Sequence, residues 1–148
     1  MRPLLALALS LTLIPGAPGR SDDKTSRYGV ALDTKTYPQS TAKEALASAI
    51  KAIEAKKFSY LVAHLADPYF VDDRVKRIYG GKFDEQVDDT KARLDPVIVK
   101  QLKRFAKEGE WEVEKTTATV THKDLKDRVV HLTKKGDRWY LEHNFSPK

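Results

Sequence analysis

Alternating apolar and polar positions in the last third of the chain predict an antiparallel sheet. Small or apolar residues alternate with threonine and charged residues over Ala118–Thr121, Val130–Lys134 and Arg138–Leu141. Because strand side chains point alternately to opposite faces, this period of two gives one buried face and one exposed face. Lys135-Gly136 indicates a two-residue hairpin loop, since such loops favour glycine. The pattern therefore predicts a three-stranded meander.

The turn positions give this meander a register. We expect Lys134 to pair with Asp137 at one turn and His122 to pair with Arg128 at the other. The inner face would then carry three rungs: Ala118, Leu132 and Trp139; Val120, Val130 and Leu141; and His122, Arg128 and His143. The outer face would carry Thr117, Thr119, Thr121, Thr133, Arg138, Tyr140 and Glu142.

A further apolar pair lies just before these strands and suggests that the sheet is curved. Trp111 and Val113 are at odd-numbered positions, whereas Ala118 and Val120 are at even-numbered ones. Both pairs can face the core from one strand only if a bulge falls within residues 114–117. Because bulges bend sheets, we expect a concave inner face.

Helical periodicity precedes the sheet. Thr41 followed three residues later by Glu44 is a capping box, which predicts the start of a helix. Apolar residues then recur at spacings of three and four, at Leu46, Ala49, Ile50 and Ile53. A second, short helix is expected over Ser59–Leu65, before Asp67-Pro68. Asp95-Pro96 predicts the N-cap and first position of a helix that ends at Gly109.

The middle of the chain gives a weaker helical signal. Val75, Ile78 and Tyr79 keep helical spacing, but Gly80-Gly81 interrupts it. A further helix is expected over Phe83–Leu94. The whole pattern predicts an α+β fold, with N-terminal helices packed on a curved antiparallel sheet.

The N-terminus has the features of a secretory signal peptide. Arg2 is followed by an apolar stretch over Leu4–Ile14, which is too short to span a bilayer, and by small residues at Ala17-Pro18-Gly19. We expect cleavage after Gly19, export to the periplasm or the medium, and no stable membrane anchor afterwards. The predicted organisation is a signal peptide (1–19), a linker or lead-in (20–36) with a short strand or docking segment over Tyr28–Leu32, and one domain (37–148).

Composition narrows the classes of function. The chain has no cysteine, which excludes a disulfide scaffold and a thiolate metal site. Its net charge is +6, but the basic residues are dispersed among acidic ones, so we expect no nucleic-acid partner. The sequence contains no motif for a metal or a cofactor, and we expect neither. A basic surface also favours anionic ligands, with solubility as the simpler explanation.

The order of elements resembles small exported members of the nuclear transport factor 2-like superfamily, which have a cone-shaped α+β fold. The resemblance covers about Thr36–Phe145 and is carried by Thr41–Asp67 and by Ala118–Trp139. It implies a ligand cavity between the concave sheet face and the helices. The superfamily includes isomerases, dehydratases, polyketide cyclases and non-catalytic modules. The chain matches none of the catalytic dyads, so the resemblance implies no catalytic residue.

The predicted polar rung is the main candidate site. His122, Arg128 and His143 would either line a wet pocket, where they could bind a small anion or carboxylate, or face water at the end of the sheet. His64 and Asp67 lie three residues apart and could form an acid–base pair, or be a helix-end histidine near a capping aspartate.

We therefore expect an exported, non-catalytic binding or accessory module with a cavity between helices and sheet. One alternative is a small isomerase or lyase that uses acid–base residues in the same cavity, for which a carboxylate beside histidine or tyrosine would be the sign. Another is a structural module that forms a homodimer through the outer face of its sheet.

Overall fold

The computed structural model describes residues 26–142, and this part of the chain has an α+β fold. Its helices are α1 (Ala42–Glu54), α2 (Phe58–Tyr60), which a π-helical segment (Leu61–Leu65) continues, α3 (Pro68–Arg77), α4 (Phe83–Arg93) and α5 (Pro96–Glu108). Its strands are β1 (Ser26–Arg27), β2 (Val30–Ala31), β3 (Glu110–Val113), β4 (Thr117–Thr121), β5 (Val130–Lys135) and β6 (Arg138–Leu141). The predicted signal peptide, residues 20–25 of the lead-in and His143 lie outside the described residues.

The predicted helix starts are confirmed by their capping bonds. The Thr41 side chain accepts from the Glu44 N–H, while the Glu44 carboxylate accepts from the Thr41 N–H, which completes the capping box. Asp95 caps α5 by accepting from the Ile98 N–H at 2.8 Å, with Pro96 at the first helical position. Asp67 caps α3 in a similar way.

The middle of the chain forms two helices separated by a glycine pair. Gly80 and Gly81 have φ values of +59° and +89°, which only glycine adopts without strain, so α3 and α4 cannot be one helix. A small apolar cluster joins these helices to the π-helical segment: Val62, Val71, Val75 and Val87.

The sheet has four antiparallel strands in the order β3-β4-β5-β6. The predicted bulge within residues 114–117 is wrong, because the chain turns there and β3 pairs with β4 as a hairpin. Trp111 lies opposite Val120, and Val113 lies opposite Ala118. The parity of the two apolar pairs differs because they belong to two strands.

The predicted register is confirmed between β4 and β5 but wrong between β5 and β6. Ala118 pairs with Leu132 as expected, whereas Leu132 pairs with Leu141 and not with Trp139. Gly136 has a φ of +64° and is the first of two loop residues, as in a type II′ turn, whereas the prediction made it the second. The slip moves partners by two positions, so Trp139 still faces the core.

The inner face of the sheet is filled by packing. Helix side chains form one hydrophobic cluster with the inner residues of the sheet. From α1 and α5 they include Leu46, Ile50, Ile53, Leu102 and Phe105. The inner residues Ala118, Val120, Val130, Leu132 and Trp139 are between 0% and 5% exposed. The inner face is therefore occupied by helix side chains at these positions.

The free edge of β6 is covered by the chain itself. Gln39, which is 2% exposed, accepts from the Trp139 N–H through its backbone carbonyl and donates to the Trp139 carbonyl through Nε2. The Asp67 N–H donates to the Leu141 carbonyl one step further along. These bonds satisfy edge groups that would otherwise be open to pairing with another strand.

The N-terminal hairpin docks on the helices. Tyr28 and Gly29 form its loop with positive φ values of 52° and 77°, the conformation of a type I′ turn. The Tyr28 ring stacks on Phe83 with 4.3 Å between centroids, and its hydroxyl donates to Asp72 at 2.6 Å. The predicted short strand or docking segment over Tyr28–Leu32 is confirmed in part: Tyr28 docks on the helices from the turn, and the strand is Val30–Ala31.

Candidate functional site

His122 from the predicted rung is buried and fully engaged within the protein. The residue is 4% exposed, and its ring contacts Phe105 edge to face, with 6.1 Å between centroids. The Asp124 N–H donates to Nδ1 at 3.1 Å, which leaves the proton on Nε2, facing the Glu108 carboxylate at 3.3 Å. Both ring nitrogens thus have internal partners, and the adjacent carboxylate would repel an anion.

The structure does not bring Arg128 into a strand rung with His122. The described pairing of β4 and β5 ends at Val120 and Val130, and residues 122–129 form turns. Arg128 is half-buried, and its N–H donates to the Leu125 carbonyl in one of these turns. With His143 outside the described residues, anion binding by the three side chains stays a prediction.

His64, which the sequence paired with Asp67, has other partners. It is 2% exposed in the π-helical segment, and its Nε2 bonds the Val30 carbonyl at 2.7 Å. Burial and the nearby charges of Arg138 and Arg27 lower the pKa of His64. Its Nδ1 is buried without a hydrogen-bond partner among the described residues. His64 therefore anchors the N-terminal hairpin in its neutral form.

Tyr28 and Asp72 form a contact between a tyrosine and a carboxylate. Desolvation and the adjacent carboxylate of Asp72 raise the pKa of Tyr28 to about 12. Arg27 also forms an ion pair with Asp72 at 2.6 Å. These three side chains hold the hairpin on α3 and are therefore not free to act on a substrate.

An open pocket of about 580 Å³ lies away from the sheet, where the end of α1, the start of α2, the end of α4 and the start of α5 meet. Its floor is apolar and consists of Ile53, Phe58, Leu94, Pro96 and Val99. Its rim is charged and consists of Lys56, Lys91, Lys100, Lys103 and Glu54. We refer to these ten residues as the lysine groove.

The lysine groove has an excess of unpaired positive charge. Glu54, the only acidic residue of its lining, forms an ion pair with Lys103. Within residues 26–142, the ammonium groups of Lys56, Lys91 and Lys100 form no ion pair with a carboxylate. Lys91 lies over the ring of Phe58, 6.0 Å from its centroid. An apolar floor beneath three uncompensated cations can bind a ligand that is both apolar and anionic.

The geometry of α5 explains how one helix serves both the core and the groove. Ile98, Leu102 and Phe105 recur at helical spacing on its core side. Val99, Lys100 and Lys103 recur on the neighbouring side and line the groove. The sequence predicted this helix after Asp95-Pro96, but nothing in it indicated that Val99, Lys100 and Lys103 would meet Lys56, which follows α1, and Lys91 of α4.

Residues 26–142 contain no cluster of three or more histidine, cysteine, aspartate or glutamate side chains suited to a metal ion. They also contain no helix of sufficient length and apolarity to cross a membrane.

No protein-family model, no curated protein and no solved structure matches the chain. The candidate site is therefore defined by the geometry of the lysine groove alone.

Proposed function

We propose that the protein is an exported, non-catalytic binding module, and that its ligand is an anion held in the lysine groove. The observation that carries this proposal is the set of three lysines without carboxylate partners around an apolar floor. Uncompensated cations of one sign lower the free energy of a bound anion and increase its rate of encounter. The volume of about 580 Å³ is within the range of small-molecule sites.

The non-catalytic part of the proposal is supported by the state of the candidate acid–base groups. A carboxylate does lie beside a histidine, at Glu108 and His122, but both nitrogens of that ring are engaged. His64 is buried against the hairpin, and Tyr28 is bonded to Asp72. A general base needs a free lone pair that reaches the substrate. The unpartnered Nδ1 of His64 is buried, and the other groups are hydrogen-bonded within the protein.

Membership of the nuclear transport factor 2-like superfamily and export are part of the same proposal. Helices followed by an antiparallel meander support the first, and the N-terminal pattern of residues 1–19 supports the second. Mass spectrometry of the mature protein should place its N-terminus near Arg20, and an intact Met1 after fractionation would contradict export.

The proposed function can be tested with anilinonaphthalene sulfonate, an amphiphilic anion whose fluorescence reports binding. The double variant Lys91→Glu/Lys100→Glu should bind this probe at least about tenfold more weakly, because it reverses two of the unpaired charges. Lys76→Glu/Lys126→Glu makes the same change in net charge at exposed positions outside the groove and should bind as the unmodified protein does.

Added salt should weaken probe binding to the unmodified protein, since exposed charges are screened. Equal loss of binding in both double variants would mean that only the net charge matters. No loss in either would mean that the probe binds elsewhere. Either result contradicts the proposed function.

A further inference from the structure

We infer that the ligand of the lysine groove is a single-chain amphiphile with an anionic headgroup, and that Lys56 binds this headgroup. This inference rests on the proposed function and adds the class of ligand and the residue that selects it. Three observations carry it: the backbone conformation of Lys56, its position between two pockets, and the apolar floor.

Lys56 adopts a conformation that favours glycine. Its φ is +58°, and it occupies the position directly after the C-cap of α1. The Lys56 N–H donates to the Ile53 carbonyl and the Lys57 N–H donates to the Ala52 carbonyl, the pair of bonds that defines a Schellman motif. Glycine is the usual residue here, because a β-carbon is disfavoured in left-handed backbone. Lys56 therefore keeps a side chain at a position where the left-handed backbone favours glycine.

A role at the end of the helix does not explain this lysine. Cations near a helix C-terminus are favourable, but the adjacent Lys57 would supply that charge if residue 56 were glycine. Lys56 also forms no ion pair within the described part of the chain. Its ammonium group is thus available to a ligand.

The position of Lys56 suits a headgroup ligand. Lys56 and Phe58 line the lysine groove and also a second pocket of about 580 Å³ on the β2 side of the same turn. Lys56 therefore lies between a lysine-rimmed apolar surface and a more polar pocket, whose lining also includes Lys57, Asp33 and Tyr60. A headgroup at this boundary would leave the rest of the ligand over the groove floor.

The groove floor indicates an alkyl chain as the remainder of the ligand. Ile53, Phe58, Leu94, Pro96 and Val99 come from α1, α2, α5 and the residue that follows α4, and they leave about 580 Å³ open above them. A purely inorganic anion would leave this apolar surface in water, whereas an alkyl chain would cover it. Three unpaired lysines match a negative headgroup and disfavour a cationic one.

The experiment is a calorimetric titration with octanoate, decanoate and dodecanoate, each below its micelle concentration. Affinity should rise about tenfold with each added pair of methylenes if these are buried on the floor. Dodecyltrimethylammonium, which has the same chain and the opposite charge, should bind at least about tenfold more weakly than dodecanoate.

Matched variants assign the headgroup. Lys56→Gly should weaken dodecanoate binding about fivefold, the effect of one partly exposed ion pair. Lys126→Gly makes the same substitution at an exposed lysine that lines neither pocket and should alter it less than about twofold. A urea midpoint for Lys56→Gly at or above that of the unmodified protein shows that any lost affinity is not caused by unfolding.

Equal affinity for the three carboxylates, or equal binding by Lys56→Gly, overturns the inference. So does a concentration-dependent dimer that excludes dodecanoate, because the groove would then bind a second copy of the chain. If Lys91→Glu/Lys100→Glu still loses the sulfonate probe while chain length has no effect, the proposed function stands and the inference alone fails.

Discussion

The inner face of the sheet and the lysine groove are both apolar surfaces formed with helix side chains, but only the first is closed. Trp139 and Leu132 are covered by α1 and α5, whereas Phe58, Leu94 and Val99 at the groove are half-buried. Complete burial contributes to the free energy of folding. At the groove, incomplete burial beside unpaired lysines leaves apolar surface that a ligand can cover. The contrast indicates that burial on the sheet face contributes most to stability, and that a ligand binds at the helix ends that form the groove.

The largest expected effect tests the closed surface. Trp139→Ala should lower the free energy of unfolding by about 3–5 kcal/mol, because it removes the largest side chain of the inner face. Val99→Ala should lower it by under about 1 kcal/mol, since this half-buried residue has one side on the open groove. Urea denaturation measures both values. Similar values for the two variants would mean that the groove is part of the core.

The next effect tests the closed edge of β6. Gln39→Ala should cost about 2–4 kcal/mol, because the carbonyls of His64 and Trp139 would both lose the buried donor Nε2. Gln101→Ala is the matched control, a half-buried glutamine whose Oε1 has no partner within residues 26–142, and should cost under about 1 kcal/mol. Equal costs in urea denaturation would contradict the role assigned to Gln39.

A smaller, pH-dependent effect should arise from His64. Because its pKa is lowered in the folded state, the unfolded chain binds a proton first as the pH falls below the ordinary histidine value of 6.5. Its contribution to stability is complete above that pH and is lost as the pH falls towards the lowered value, by up to about 1.4 kcal/mol per pH unit.

Urea midpoints of His64→Gln, measured across this pH range, should show a flatter dependence than those of the unmodified protein. Gln101→Ala, which removes no titratable group, should leave the dependence unchanged. An unchanged slope in His64→Gln would refute the account of His64.

The smallest effect has the opposite sign. Lys56→Gly should raise the free energy of unfolding by roughly 0.5–1 kcal/mol, because glycine adopts the positive φ of this position without strain. Lys57→Gly, where φ is −88°, should not stabilise the protein. A loss of stability in Lys56→Gly would show that the lysine is retained for folding and not for binding.

The inner face of the sheet could be predicted from the sequence because the pattern that encodes it is local. Period-two alternation assigned the inner residues to one face, and the capping patterns at Thr41 and Asp95 gave the starts of two helices. The register between β5 and β6 was wrong because two adjacent loops are compatible with Gly136, and only its backbone conformation distinguishes them. The prediction of which residues face the core stayed correct because the register error was two residues, an even number.

The lysine groove, the open surface, could not be predicted in the same way. The groove is formed by residues 53–58, 91–96 and 99–103, which belong to the ends of separate helices. No periodic pattern relates these segments, and their meeting depends on how the helices pack. The left-handed conformation of Lys56 also has no sequence signal, since glycine is the residue that would have indicated it.

The central claim, that the open surface binds an anionic amphiphile, is tested most directly by mapping amide chemical shifts during titration with dodecanoate. The account predicts saturable changes at Lys56, Lys91, Leu94 and Lys100, with the inner sheet strands largely unaffected. Changes centred on the turn at 122–129 would instead support the site predicted from the sequence. Changes confined to that turn, or no saturable change at all, would contradict the account.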